Sequence, residues 1–402
     1  MMNLLGVIGM ISHNFQFKLP VSIHFGINSI EKLPEICKSI GSQALLVTSE
    51  DILHIAEKIS NVLDNAKINY EKYFLESPEP DCDLIDSSAK KLSAKKFDFI
   101  IGVGGGSVID MSKSLSIALT NPEPIWEYAN LSYRPPKILT EKTIPVIAIP
   151  TTSGTGSEVT PYAVLSNIKK NQKGTIQQSE IFPKAAFVFP EFMISMPKEL
   201  TASTGIDAFA HALESYMNIS KQSPISEMLS IEAMKIIFSY LPKTIEEPNN
   251  IENRKQMAWA STLSGISIAH RGTTTAHAIA EVLGGIMKIP HSYAVAISTY
   301  PVLKETLPYA EKELALIYER VFSTTDGVEY DNAKLFVDSV YKLIKKCGLS
   351  RSLNNDISNL PENLADQTLE YLNNYKFRPL KQHCVEFSNG KLSKIITEII
   401  GT

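Results

Sequence analysis

Pro145-Val-Ile-Ala-Ile-Pro-Thr-Thr-Ser-Gly-Thr-Gly-Ser157 joins an apolar run to a loop rich in hydroxyl groups and glycine. The same pattern occurs upstream in Phe99-Ile-Ile-Gly-Val-Gly-Gly-Gly-Ser107, and Ala44-Leu-Leu-Val-Thr48 is a third apolar run. Helical patterns at 51–65 and 108–119 separate these runs. Continuous apolar strands that alternate with helices are typical of a parallel sheet covered on both faces. The sequence therefore predicts a doubly wound α/β domain of the nucleotide-binding type over residues 1–190.

The second half of the chain differs, because strand-like runs disappear after Pro190 and helical periodicity continues to the C-terminus. The predicted helices are 201–217, 224–241, 253–268, 274–284, 310–322 and 331–346. We therefore predict an all-helical domain over residues 191–402. The sequence has no long Gly/Ser linker between the halves, so we expect them to pack tightly and to form a site in the cleft between them.

Length, composition and charge limit the kinds of protein that this chain can be. A chain of 402 residues exceeds what one core normally serves, and a net charge of −4 lacks the basic excess that nucleic acids require. No run reaches the roughly 18 apolar residues of a membrane helix. The apolar segment Met1 to Ile11 resembles part of a signal peptide but has no basic residue before it and no cleavage site. The four cysteines lie far apart in the sequence, so we expect reduced thiols and a cytoplasmic location. We expect the partner of this protein to be a small molecule.

Two loops after predicted strands have the composition of phosphate-binding loops. The first contains Gly105, Gly106 and Ser107, and glycines at a helix N-terminus let backbone N–H groups approach a phosphate. It departs from Gly-x-Gly-x-x-Gly because Ser107 takes the place of the third glycine, and a tight turn without a ligand is the alternative. The second loop offers the hydroxyl groups of Thr151, Thr152, Thr155 and Ser157. Since both loops follow strands of one parallel sheet, we expect them to converge on one cofactor.

Acidic and histidine side chains in the helical half have the composition of a divalent-metal site. Asp207 and His211 are four residues apart, so on a helix they lie on one face. His277 and Glu281 repeat this spacing, and His291 follows. Packing of separate histidines is the alternative, but each buried polar group needs a partner and a metal supplies a shared one. A mixed set of Asp and His favours Fe²⁺ or Zn²⁺ over Mg²⁺ or Ca²⁺.

From about Phe25 to the C-terminus the chain resembles the iron-containing alcohol dehydrogenases. The matching stretches are 104–110, 150–158, 190–191, 204–214, 283–285 and 290–291. The resemblance implies an α/β N-terminal dinucleotide-binding domain plus an all-α C-terminal domain. It also implies NAD or NADP on the two loops, with Lys173 as a further cofactor contact. The metal ligands that it implies are Asp207, His211, His277 and His291.

The chain departs from the family's pattern at several positions. Glu281 stands where many members carry a second histidine, and Glu79 stands where an asparagine is common. Ser49 follows the second strand, where NAD-preferring members often have an aspartate that binds the ribose 2′-hydroxyl. Ser49 thus removes an obstacle to NADP and leaves the choice of cofactor open. His270-Arg271 replaces neutral residues near the substrate pocket.

Together these features predict an oxidoreductase that transfers a hydride between NAD(P) and a primary alcohol or aldehyde, with a metal that polarises the substrate oxygen. His270 and Glu281 are the candidate proton-transfer residues, and Arg271 raises the option of a substrate with an anionic group. The alternatives are a lyase similar to dehydroquinate synthase and a relative that binds metal and nucleotide without turnover. We expect a homodimer or larger homo-oligomer, and neither nucleic-acid nor membrane partners.

Overall fold

The computed structural model describes residues 14–77, 79–131, 134–221, 223–324, 329–349, 352–357, 360–374 and 378–401. The segment Met1 to Ile11, considered above as a signal peptide, lies outside the described residues. Among the helices of the described residues, none is both long and apolar enough to cross a bilayer.

A six-stranded parallel sheet forms the N-terminal half, with an antiparallel hairpin beside it. The strands are β1 (Ser22–Phe25), β2 (Gln43–Thr48), β3 (Asn69–Phe74), β4 (Phe99–Gly104), β5 (Val146–Pro150), β6 (Tyr162–Asn167), β7 (Gln172–Gln177) and β8 (Ala185–Val188). The order in the sheet is β1-β8-β5-β4-β2-β3, and β6 pairs with β7. The three apolar runs predicted as strands are β2, β4 and β5, so the parallel sheet is confirmed.

Alternate side chains of each buried strand belong to different cores. The helices of this half are α1 (Leu33–Ile40), α2 (Leu53–Asn65), α3 (Cys82–Leu92) and α4 (Gly106–Ala118). Ala44 and Leu46 of β2 lie in the core that contains α1 and α2 side chains, whereas Leu45 and Val47 lie in the core that contains α3 and α4 side chains. Helices thus cover both faces, which explains why these strands are apolar along their whole length.

Eleven helices make up the second half as far as the structure describes it. They are α5 (Lys198–Met217), α6 (Pro224–Glu246), α7 (Ile251–Arg271), α8 (Thr275–Met287), α9 (His291–Thr306), α10 (Glu311–Phe322), α11 (Glu329–Lys346), α12 (Leu353–Asp356), α13 (Leu364–Asn374), α14 (Arg378–Gln382) and α15 (Asn389–Ile400). All six predicted helices are present. The pattern did not give α9 or the helices α12 to α15, and α9 holds Pro301 in its interior, where a proline usually ends a helix.

The two halves meet at a close crossing of backbone. Gly156, in the loop after β5, has φ +61°, and a Cβ atom on it would lie 2.4 Å from Cα of Gly265 in α7. Neither position has room for a side chain, so this loop rests directly on the helix. The crossing leaves a cavity of about 510 Å³ between the carboxyl edge of the sheet, the hairpin and helices α5 and α8.

Candidate active site

The two glycine-containing loops touch each other at the N-terminus of α4. This helix begins at Gly106, directly after β4. A Cβ atom on Gly106 would lie 2.6 Å from the Thr155 side chain, and one on Gly105 would lie 3.3 Å from that of Thr152. Gly106, Ser107 and Thr155 line the cavity. The loops therefore converge as the sequence predicted and form a cradle that any larger residue would fill, at a helix N-terminus, a position suited to a phosphate.

A buried lysine, which we did not identify from the sequence, holds the second loop in place. Lys113 of α4 is fully buried and donates to the carbonyl oxygens of Ser157 at 2.6 Å and Tyr162 at 2.7 Å. Asp110, one turn earlier, accepts from the Ser157 hydroxyl at 2.6 Å. Burial lowers the pKa of Lys113 to about 8, although the carboxylates of Asp110 and Glu158 oppose the shift. The loop conformation thus depends on side chains of α4.

Lys173 lies in β7 and lines the cavity, but it is already paired. Its Nζ atom is 2.6 Å from Oε1 of Glu79, and its side chain is only 5% exposed. The Ser166 hydroxyl donates to the other oxygen of Glu79 at 2.9 Å. Glu79, one of the departures noted above, therefore fixes the lysine that the resemblance implies as a cofactor contact.

Ser49 directly follows β2, and its side chain is half-buried. The strand pairs with β4, with Val47 opposite Gly102, so Ser49 lies at the same edge as the first glycine loop. The following residue, Glu50, is exposed. This arrangement brings Ser49 to the part of the sheet edge where a ribose bound by the loops would extend.

Asp207, His211 and His277 form a buried cluster on the far side of the cavity. Asp207 and His211 lie on one face of α5, and His277 lies in the first turn of α8. Oδ1 of Asp207 is 3.7 Å from Nε2 of His211 and 3.5 Å from Nε2 of His277. Their candidate ligand atoms all lie within 4.8 Å of one another. The ring of His291, at the start of α9, lies 5.5 Å from that of His277.

Hydrogen bonds on the outer side of the cluster set the tautomers of two imidazoles. Nδ1 of His211 lies 3.3 Å from the carbonyl oxygen of Gly154, and Nδ1 of His277 contacts the carboxylate of Glu214. Because a carbonyl and a carboxylate can only accept, both Nδ1 atoms carry the proton. Each Nε2 atom therefore faces Asp207, and in the neutral ring it presents a lone pair there, as a metal ligand must.

Several buried atoms of the cluster lack a hydrogen-bond partner among the described residues. They are both carboxylate oxygens of Asp207, Nε2 of His277 and Nδ1 of His291. Leaving such groups unsatisfied costs about 1–3 kcal/mol each, so their convergence fits a shared cation. Although burial opposes it, the nearby imidazoles hold the pKa of the Asp207 carboxyl well below its usual range. Burial lowers the pKa of His291 to about 3 and keeps it neutral. An ionised aspartate and neutral imidazoles are the metal-binding forms.

The electrostatic field of the neighbouring carboxylates also favours a positive charge on His277. Burial opposes it, yet the carboxylates of Glu214 and Asp207 raise the pKa of His277 to about 10. These negative charges stabilise any cation between them, whether a proton or a metal ion. The residues present therefore fit a divalent metal bound by Asp207, His211, His277 and His291.

His270 and Arg271 are occupied by other groups. Nδ1 of His270 bonds to the Ile266 carbonyl oxygen at 2.8 Å, Nε2 lies 3.1 Å from the backbone nitrogen of Lys18, and the ring stacks on Phe17. This arrangement favours a role in holding the N-terminal segment over the predicted proton transfer. Arg271 pairs with Glu227 at 2.7 Å, so part of its guanidinium is engaged, while the side chain lines the cavity and its Nε atom has no hydrogen-bond partner among the described residues.

Glu281 is the remaining candidate for proton transfer. It lies in α8, lines the cavity and is half-buried. Burial raises the pKa of its carboxyl, although the charges of His277 and Lys173 oppose the shift. α7 ends at Arg271 and Gly272 has φ +79°, so α8 starts in a new direction. His270 and His277 are therefore not two turns of one helix, whereas Glu281 and His277 are neighbours on α8.

Comparisons with known proteins agree with this geometry. The family model of iron-containing alcohol dehydrogenases matches residues 20–190, and that of the C-terminal part of the Fe-containing alcohol dehydrogenase family matches residues 201–385. The 1,3-propanediol dehydrogenase of Citrobacter freundii is 32% identical over 84% of this chain and 88% of its own length.

Solved structures are similar over nearly the whole chain. An alcohol dehydrogenase from an archaeal halo-thermophile of a Red Sea brine pool superposes with a TM-score of 0.88 at 28% identity, over 96% of this chain and 99% of that one. Sulfoacetaldehyde reductase from Bifidobacterium kashiwanohense, solved with NAD⁺, gives a TM-score of 0.85 at 27% identity, over 97% of this chain and 100% of that one.

Proposed function

The chain belongs to the iron-containing alcohol dehydrogenase family, and on this premise we propose that it interconverts a primary alcohol and its aldehyde with NAD or NADP. The family is NAD-dependent and binds iron, so the chain is a metal-dependent oxidoreductase. The lyase and the non-catalytic relative considered above are not favoured, because the similar proteins are alcohol and aldehyde dehydrogenases.

The observation that carries this proposal is the position of the buried Asp/His cluster opposite the two glycine-containing loops, across one cavity. When bound, a divalent cation would polarise the substrate oxygen and a nicotinamide would exchange the hydride. We assign the cation to Asp207, His211, His277 and His291. We assign the cofactor to Ser49, Gly105, Gly106, Ser107, Thr151, Thr152, Thr155, Ser157 and Lys173.

Glu281 is our candidate for holding or moving the proton that alcohol oxidation releases. It shares α8 with a proposed metal ligand and faces the cavity. A half-buried carboxyl with a raised pKa is more easily protonated than an exposed one, which suits a proton acceptor near neutral pH. His270 stays a weaker candidate because backbone groups engage both of its ring nitrogens.

Ser49 supports the use of NADP as well as NAD, because the first residue after β2 carries no carboxylate to repel a 2′-phosphate. Ser49→Asp should shift the ratio of kcat/KM values towards NAD by about 1–3 kcal/mol. Ser49→Asn is the matched control, since it adds similar bulk without charge. An unchanged ratio in Ser49→Asp would mean that another residue, such as Glu50, controls the choice.

The substrate class is a small primary alcohol or aldehyde. The similar proteins include sulfoacetaldehyde reductases, which supports an aldehyde with an anionic group as one possible substrate class. Arg271 lines the cavity and pairs with Glu227, and it is our candidate to bind that group. The four cysteines are unpaired, which supports a reducing, cytoplasmic setting. A homo-oligomer stays our expectation for its assembly.

The central test combines activity with metal content. The protein is loaded with Fe²⁺ or Zn²⁺, and oxidation of NADH and NADPH is followed by absorbance with a panel of neutral and anionic aldehydes. His277→Ala should lose both bound metal and activity, whereas His54→Ala, at an exposed histidine of α2, should retain both. Full metal content and activity in His277→Ala would refute the assigned site.

A further inference from the structure

Glu214 lies behind the proposed metal site and is buried, with a side chain that is 5% exposed. It belongs to α5, three residues after His211 and seven after Asp207, so it lies on the same side of that helix. Its carboxylate meets the N-terminus of α8, the helix that carries His277. The contacts of this carboxylate must offset the free energy lost on its burial, because burial of an unpaired carboxylate is very costly.

The two oxygens of Glu214 have separate partners. Oε1 accepts from the hydroxyl of Thr274 and the backbone N–H of Ala276, both at 2.8 Å, and so caps α8. Oε2 contacts Nδ1 of His277. Capping needs one oxygen only. The second oxygen is therefore devoted to the imidazole, which it can only engage as an acceptor of the Nδ1 proton.

A second layer of hydrogen bonds holds the capping side of Glu214. His383 is buried, and its Nδ1 atom lies 3.0 Å from the hydroxyl oxygen of Thr274. Because Thr274 gives its own proton to Glu214, it must accept from His383 Nδ1–H. Nε2 of His383 lies 3.0 Å from the hydroxyl oxygen of Thr306, whose one proton is shared between this nitrogen and the carbonyl oxygen of Val302, 2.8 Å away. The bonds donated by His383 Nδ1 and by the Thr274 hydroxyl both run towards the carboxylate, and such aligned bonds strengthen each other.

We propose that Glu214 is a positioning residue for the metal site: it keeps the proton of His277 on Nδ1, so that Nε2 is left free to bind the cation. This inference rests on the proposed function, because it takes His277 as a ligand. Carboxylates that orient metal-bound histidines in this way raise the basicity of the ligand and fix its ring.

The geometry predicts an unusual effect for Glu214→Gln. The oxygen of the new amide must take the Oε1 position, because Thr274 and Ala276 both donate there. The amide NH₂ group is then forced towards Nδ1 of His277 and can only donate to it. Nδ1 must become an acceptor and the ring proton moves to Nε2, which blocks the lone pair needed by a metal.

The experiment measures metal affinity and the proton of His277 rather than turnover. Co²⁺ and Zn²⁺ are titrated into the metal-free protein in competition with a chelator, and the Co²⁺ absorption bands report the ligand set. We expect Glu214→Gln to bind both ions roughly 10–100-fold more weakly than the native protein. Thr274→Val is the matched control, because it removes a donor to Oε1 and leaves the contact of Oε2 with His277 intact. It should lose less affinity than Glu214→Gln.

NMR of the native protein supplies a second readout, which does not depend on Glu214→Gln. With ¹⁵N-labelled histidine and Zn²⁺ bound, His277 should give a slowly exchanging Nδ1–H signal, assigned by its loss in His277→Ala. Absence of that signal, or native affinity and an unchanged Co²⁺ spectrum in a folded Glu214→Gln, would overturn the role of Glu214. If the native protein bound neither ion, the proposed function itself would fail, which is a different outcome.

Discussion

The buried side chain of His383 predicts how the free energy of unfolding depends on pH. Its imidazole is buried between the hydroxyl groups of Thr274 and Thr306, and burial lowers its pKa to about 4 although Glu214 opposes the shift. The perturbation is a drop from about pH 7 to about pH 5. In the unfolded chain a histidine has a pKa of about 6.5, so over this range the unfolded state takes up a proton and the folded state does not.

The sign and size of the effect follow from this difference. Because the unfolded state binds more protons below about pH 6.5, the stability that neutral His383 gives above that pH is lost as pH falls towards 4. With pKa values of about 6.5 and about 4, the free energy of unfolding should fall by about 2 kcal/mol between about pH 7 and about pH 5. This figure is the contribution of His383 alone, and the contributions of other titrating groups add to it.

The assay compares urea unfolding of the metal-free protein at the two pH values, for the native chain and for His383→Gln. Glutamine can donate to Thr274 and accept from Thr306 but does not titrate, so the variant should lack this share of the pH dependence. NMR titration of His383 gives its pKa directly. An ordinary histidine pKa, or an equal pH dependence of the two proteins, would refute the reasoning.

Other changes test the packing of the loop after β5 and one buried ion pair of the helical half. Gly156→Ala should lower the thermal midpoint and cost at least about 2 kcal/mol, because a left-handed position and the Gly265 backbone both exclude a Cβ. Lys113→Met should raise the KM for the cofactor more than it lowers kcat, measured by steady-state kinetics, since the second loop loses its buried donor. Glu227→Ala should destabilise the protein by about 3–5 kcal/mol in denaturant, because it leaves the Arg271 guanidinium buried without its counter-charge. Recovery of most of that loss in the double variant with Arg271→Met would support the stated cause.

Much of the fold follows from residue patterns because the relevant forces act on whole elements. The continuous apolar runs of β2 and β4 have to be buried on both faces, and only a sheet between two helical layers provides that. The loops after β4 and β5 then meet at one edge, whatever their side chains do. α9 was missed because its pattern includes an internal proline, which packing against α5 and α8 tolerates.

The proposed metal ligands were also accessible from the sequence, since Asp207 and His211 share a helical face by spacing alone. The groups that pair with the candidate site residues could not be identified from the sequence. The sequence made His270 and Arg271 candidates for catalysis and anion binding, and it could not show that Lys18 and Glu227 contact them. A side chain's availability depends on partners that lie far away in the chain, and no local pattern contains that information.

Glu214 illustrates both what the sequence indicates and what only the structure reveals. Its spacing from Asp207 and His211 puts it on the metal-facing side of α5, so the sequence held enough to nominate it. What the spacing could not give is that α8 begins at this point, with N–H groups that occupy one oxygen and force the other towards His277. The chemistry assigned to Glu214 depends on that division between its two oxygens. A carboxylate with both oxygens capping α8 would be structural only, whereas one that also accepts from Nδ1 determines which nitrogen of His277 can bind a metal.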